Sequence, residues 1–148
     1  MTESLMTESK VLYQTTAINT GGRNGESHLP DGSFSVKVST PKQMGGPGQG
    51  SNPEQLFALG YSACFNSALE IMIKQAKLEA GSEVTAEVSL HSDPTDNGVK
   101  LSVVLIVAIE GQSLEVTKEL AEKAHTFCPY SKAVQNNIDV AIKVVEYK

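Results

Sequence analysis

The sequence predicts an α+β domain of mostly antiparallel strands around one buried helix, and three observations carry that prediction. Alternating or β-branched stretches bounded by Gly, Pro, Asn and Asp recur at 11–20, 34–39, 84–91, 99–110 and 139–147. One long apolar stretch, 53–80, opens on helix-start signals and carries apolar residues on nearly every face. The pieces run strands, helix, hairpin, helices, strand, without the regular strand–helix alternation of a parallel sheet.

The first stretch, 11–20, is rich in Thr, Val, Ile and Tyr and ends at Gly21-Gly22-Arg23-Asn24-Gly25, so Arg23 sits on a tight turn. A second strand at 34–39 is reached through the Pro30-Asp31-Gly32 turn, which makes an opening meander. The Gly- and Pro-rich segment 41–50, which contains Met44, is too broken for a regular element and reads as a mobile flap. It lacks the Gly-Lys-Ser/Thr ending of a phosphate cradle, and no strand leads directly into it.

Helix signals begin at Ser51: Ser51 or Asn52 as cap, Pro53 in the first turn, and Glu54 near the positive end of the helix dipole. The helix is expected to run to about residue 80 and to stop at Gly81. A helix apolar all round is a buried helix, and one small domain hides it with difficulty. An intertwined homodimer, with sheets from both chains wrapping a shared helical core, would hide it.

The strands at 84–91 and 99–110, joined by the turn 93–98, form a hairpin. After Gly111, Ser113 caps a helix that ends near Cys128-Pro129, where the proline prevents simple continuation. Ser131 is expected to cap a short further helix, and 139–147 closes the chain as a strand.

A length of 148 residues suits one domain, here 11–148, whose core needs neither metal nor disulfide. Residues 1–10 read as a flexible polar tail, with Met1 or Met6 as the start and no secretory signal. No segment reads as apolar for long enough to span a bilayer, so a membrane partner is not expected. The net charge of −5 is scattered and leaves no basic stripe, which sets nucleic acid aside. Two cysteines in a chain expected to be cytoplasmic favour redox or nucleophilic roles over a structural disulfide.

Cys64 lies in the first third of the long helix. It is either a small core hydrophobe or a nucleophile, and burial raises a thiol pKa, so a nucleophilic Cys64 needs a cation beside it. Arg23 is the candidate, the single arginine among eleven lysines, with a permanent charge and a planar fork able to hold a carboxylate. Glu54 is the natural carboxylate, although Ser51-Asn52-Pro53-Glu54 also reads as a capping box. Ten residues of straight helix would separate Glu54 from Cys64 by about 15 Å. The helix breaks near Gly60, or the arginine spans the gap, or one group comes from a partner chain. Cys128, at a helix end before Pro129, is either structural or a resolving thiol that condenses with a sulfenic acid. His125 and Cys128 also make half of a zinc site, but without a second close pair neither a metal nor a cofactor is expected. His28 and His91 carry no signal.

At these residues the sequence resembles the organic hydroperoxide resistance branch of the Ohr/OsmC family. The resemblance rests on Asn52-Pro53-Glu54-Gln55-Leu56-Phe57-Ala58-Leu59-Gly60-Tyr61-Ser62-Ala63-Cys64-Phe65 and on Ala124-His125-Thr126-Phe127-Cys128-Pro129-Tyr130-Ser131. The turn around Arg23 and the Met44-Gly45-Gly46 loop also look similar, and the likeness extends from about residue 11 onward. It implies an OsmC-like fold, a homodimer, and a thiol peroxidase that reduces organic hydroperoxides. In that pattern Cys64 attacks the peroxide, Arg23 and Glu54 hold it as thiolate, and Cys128 resolves. Apolar neighbours Met44, Phe65, Phe127 and Tyr130 would suit a substrate with a hydrocarbon tail. An external dithiol, a lipoylated protein by resemblance, would reduce the resulting disulfide. The competing function is a binding protein with an apolar cleft and inert cysteines.

Overall fold

The computed structural model describes residues 9–148, so most of the tail expected at 1–10 lies outside the described residues. The chain divides into two compact units, Met1–Asn52 and Pro53–Lys148.

The first unit is the expected meander, with one strand more than the sequence signals gave. Strands β1 (Ile18–Thr20), β2 (Gly25–His28) and β3 (Ser35–Val38) pair antiparallel in that order. The tight turn between β1 and β2 is a 3-10 turn, Gly22–Asn24, preceded by Gly21 at a φ of 85°. Asn19 secures it: its Oδ1 accepts from the Gly22 N–H at 2.9 Å, and its Nδ2 donates to the Glu26 carbonyl at 3.1 Å. A side chain at Gly25 would collide with the Thr20 carbonyl, so the turn requires glycine there. β1 is far shorter than the strand expected over 11–20, because residues 11–17 run exposed without a ladder among the described residues.

The segment expected to be a flap folds back on β3. It contains the 3-10 turn Lys42–Met44, with the Gly48 N–H donating to the Thr40 carbonyl at 2.9 Å and the Gln49 N–H to Ser39 Oγ at 3.0 Å. The backbone of Ser51 bonds both Lys37 and Ser39, at 2.8 and 2.7 Å, so the segment is tied at both ends.

The second unit contains α1 (Pro53–Gln75), β4 (Ser82–Asp93), β5 (Gly98–Ile109), α2 (Leu114–Phe127), α3 (Pro129–Val134) and β6 (Asp139–Val144). β4 and β5 form the expected hairpin, in register from Ser82↔Ile109 to Asp93↔Gly98. β6 lies parallel to β5, from Ser102↔Asp139 to Val107↔Val144, which makes α2 and α3 the crossover that a parallel pair requires. Ser113 caps α2 as expected, accepting from the Val116 N–H at 3.1 Å.

The core follows from periodicity. Tyr61, Phe65, Leu69 and Ile73 recur every four residues on one face of α1, and Val103, Leu105, Val107 and Ile109 alternate onto one face of β5. With Leu120, Ala121 and Ala124 of α2 they form one buried cluster in which each large side chain contributes about 1.5–3 kcal/mol. The opposite stripe of α1, with Leu59, Ala63 and Ile71, is exposed in the single chain, so the helix is not buried on every side as its composition implied. α1 is also long and apolar enough by length and composition to cross a bilayer, which corrects the expectation that no segment is. Its inner face packs as core helix against the sheet.

α1 stops at Gln75, earlier than expected. The Lys77 N–H donates to the Lys74 carbonyl at 2.9 Å and the Leu78 N–H to the Ile73 carbonyl at 3.1 Å, with Lys77 at a φ of 62°. This is a Schellman cap whose left-handed position holds lysine in place of the usual glycine.

Candidate active site

The site is organised by two thiols that are 64 positions apart in the chain and 3.4 Å apart at their Sγ atoms. Cys64 projects half-buried from α1, and Cys128 is fully buried. Both are reduced, and the distance is within reach of an S–H···S hydrogen bond. Cys128 occupies the junction of α2 and α3, ending one helix and preceding the other, with its N–H donating to the Ala124 carbonyl at 2.8 Å. Pro129 favours an extended conformation at the residue before it, and Cys128 has one, at φ −65° and ψ 126°. The chain turns there and carries the sulfur inward.

Burial pushes the Cys64 thiol above its ordinary range; the main-chain N–H of Tyr130 opposes the rise, and the neighbouring Cys128 sulfur adds to it. Deprotonation of Cys64 near neutrality therefore calls for a positive charge. α1 runs unbroken through Gly60, which removes the helix break from the three alternatives and leaves Glu54 about 15 Å along the axis from Cys64. Glu54 stands in the first turn of α1, in the second unit. Arg23 is on the 3-10 turn of the first unit, exposed, and Met44 is on that unit's other 3-10 turn.

An aromatic group adjoins the thiols. Tyr130 packs against Phe57 and Tyr61, with ring centroids 5.9 and 5.6 Å away, and Phe57 meets Tyr61 edge-on at 5.7 Å. Gly60 admits Tyr130: a Cβ there would lie 2.5 Å from the phenol oxygen. Phe127 is 47 % exposed at the end of α2, with Lys132 Nζ 5.8 Å from its ring centroid. Phe65, expected beside the substrate, is wholly buried and packs 6.4 Å from the His125 ring, so it backs the site from within the core.

Sequence reasoning missed a buried polar chain behind the thiols. Tyr61 Oη lies 2.7 Å from Ser131 Oγ, which lies 2.8 Å from His125 Nδ1. Burial lowers the His125 pKa, and the Ser131 hydroxyl, able both to donate and to accept, bridges the imidazole and the Tyr61 phenol. Ser131 therefore does not cap α3, a position taken by Cys128, and its hydroxyl points into the core. No local spacing signals this chain, since Tyr61 and Ser131 are 70 positions apart. Among the described residues, no three His, Cys, Asp or Glu side chains gather to hold a metal ion.

Comparison with known proteins agrees with this architecture. A family model described as OsmC-like protein matches residues 46–143. The organic hydroperoxide resistance protein-like 2 of Staphylococcus epidermidis is 49% identical over 135 residues, covering 90% of this chain and 95% of its own length. The organic hydroperoxide resistance protein of Xanthomonas axonopodis pv. citri is 42% identical over 134 residues, covering 90% and 94%. Among solved structures, an organic hydroperoxide resistance protein from Elizabethkingia anophelis superimposes with a TM-score of 0.87 at 43% identity, covering 94% of this chain and 100% of that one. A two-thiol site on an α+β frame, with relatives this similar over nearly all of their length, makes the chain a member of the OsmC-like family, in its organic hydroperoxide resistance branch.

Proposed function

We propose that this protein is a thiol peroxidase that reduces organic hydroperoxides to alcohols and so protects its cell against oxidative stress. The observation that carries the reading is the 3.4 Å separation of Cys64 Sγ and Cys128 Sγ, only about 1.4 Å longer than a disulfide bond. The Cys64 thiolate attacks the outer peroxide oxygen; the O–O bond breaks, and the departing alkoxide takes a proton to become the alcohol. Cys64 is left as a sulfenic acid. The Cys128 thiol attacks that sulfur, the new S–S bond forms, and water leaves. An external dithiol, with a lipoylated protein as the proposed reductant, returns both thiols by exchange.

In this reading Arg23 supplies the positive charge that holds Cys64 as thiolate against its burial, and Glu54 orients the guanidinium. Met44, Phe127 and Tyr130, each partly exposed and largely apolar, receive the hydrocarbon tail, while Phe65 shapes that wall from behind. The exposed α1 stripe of Leu59, Ala63 and Ile71 is covered in a homodimer, and the protein works in the cytoplasm.

Mass spectrometry of the reduced protein, before and after one equivalent of cumene hydroperoxide and in parallel with hydrogen peroxide, tests the reading. The expected result is rapid loss of both thiols and of the mass of two hydrogen atoms, faster with the organic peroxide. Two unreacted thiols would replace this reading with that of a binding protein.

A further inference from the structure

Resting on the peroxidase reading, we propose that Ser131, held between Tyr61 and His125, is a positioning residue for the resolving step and decides whether the Cys64 sulfenic acid ends as a disulfide or as a sulfinic acid. The three groups come from the three elements that frame the thiols: Tyr61 from α1, three residues before Cys64, His125 from α2, three before Cys128, and Ser131 from α3, three after it. The 2.7 Å bond between Tyr61 and Ser131 is buried, with those residues at 0% and 1% exposure, and the 2.8 Å bond from Ser131 to His125 is part-buried. A buried bond of this kind is costly to leave unmade, so it resists the small movements that would part the elements. It therefore fixes the Cys128 junction against α1.

A sulfenic acid has two fates. It condenses with the Cys128 thiol, forming the S–S bond and releasing water, or it takes an oxygen from a second hydroperoxide, giving the sulfinic acid and an alcohol. The first fate is intramolecular and depends on Cys128 staying within reach; the second depends only on peroxide concentration. Releasing Ser131 lowers the effective concentration of Cys128 and leaves the first attack untouched, because neither Tyr61 Oη nor Ser131 Oγ bonds the Cys64 sulfur.

The test uses Ser131→Ala, Tyr61→Phe and the double variant. Tyr61→Phe keeps the ring in place and decides the matter if Ser131→Ala does not fold. Consumption of one equivalent of cumene hydroperoxide is followed in a single turnover, disulfide formation by quench and thiol alkylation, and sulfinic acid by mass after excess peroxide. The expected result is peroxide consumption near the wild-type rate, disulfide formation slowed about ten- to a hundredfold, and a sulfinic form that accumulates in the variants but not in wild type. The double variant should be no worse than the more affected single, since both cut one chain. Wild-type disulfide rates in both single variants, or equal slowing of both steps, overturn the positioning role while leaving the peroxidase reading intact. A wild-type protein that consumes no peroxide, or forms no disulfide, overturns the peroxidase reading and this inference with it.

Discussion

Gly60→Ala sets two opposed effects against each other on α1. Alanine is favoured over glycine inside a helix by about 1 kcal/mol. Its Cβ would stand 2.5 Å from the Tyr130 phenol oxygen and 3.1 and 3.3 Å from two ring carbons, so the ring must retreat by about 0.9 Å to reach ordinary contact. Tyr130 has no open path on that side, because Phe57 and Tyr61 pack against it. Forcing an extra carbon into such a contact costs about 1–3 kcal/mol. The net expectation is a loss of about 1 kcal/mol, which lowers Tm by about 3–4 °C in a domain of this size. Because Tyr130 stands two residues after Cys128 and packs over Gly60 of α1, displacement of Tyr130 should also slow disulfide formation. Urea denaturation of the reduced proteins at matched concentration measures the first effect, and single-turnover oxidation the second. A variant stabilised by about 1 kcal/mol, the full propensity gain, would show that Tyr130 is not pinned over Gly60 and would refute the packing argument.

Further predictions concern α1, the pH range and the activating charge. Lys77→Gly, at the left-handed position ending α1, should stabilise the protein by about 0.5–1 kcal/mol, read as a shift in urea midpoint without change in slope. His125 is depressed below its ordinary 6.5, so the stability it contributes is present above about pH 6.5 and is lost as pH falls through its folded value. Cys64 is raised above its ordinary 9.0, so its contribution is present below about pH 9 and is lost as pH rises through its folded value. Urea midpoints should therefore be highest between those limits, with the acid limb flattened in His125→Asn and the alkaline limb reduced in Cys64→Ala. Arg23→Ala should slow Cys64 oxidation by about a hundredfold at pH 7, with recovery as pH rises; oxidation at the wild-type rate would remove Arg23 from the activating role.

Much of this was legible in the sequence because the signals were local. Ser113 announced the start of α2, Pro129 its end, and the alternation across 84–110 the hairpin, and each stands where its residues put it. The two cysteine motifs marked the thiols, although only the fold brings them to 3.4 Å. What escaped was set by partners far away or by missing punctuation. β2 reads Gly-Glu-Ser-His, with no apolar alternation, and is a strand because β1 and β3 flank it. The end of α1 was expected at Gly81 because Lys77 carries no sign of a left-handed cap. Gly81 serves elsewhere: its N–H donates to Glu110 Oε1 at 3.1 Å. Ser131 had the chemistry of a cap and became an internal hydrogen-bonding residue, since Tyr61 and His125 offered it buried partners. The parallel placement of β6 left no trace in its own six residues, which alternate as an antiparallel strand would.

That parallel strand bears on how the protein comes into being. Because β6 runs alongside β5 in the same direction, the crossover that carries Cys128 is locked down only when residues 139–144 have been laid against the hairpin. A ribosome making about 5–20 residues per second takes roughly 3–13 s to travel from the codon for Cys64 to that for Cys128, and β6 follows later still. Throughout that interval the first thiol exists without the second. On the proposed chemistry, an oxidant that reaches the nascent chain meets a cysteine with no partner to rescue its sulfenic acid. An unfolded cysteine keeps the ordinary thiol pKa, above neutrality, and with no cation held beside it before folding is complete that lone thiol stays mostly protonated and slow to react. On that chemistry the protein is quiet while it is being built, and becomes reactive only when the means of resolving the damage is in place.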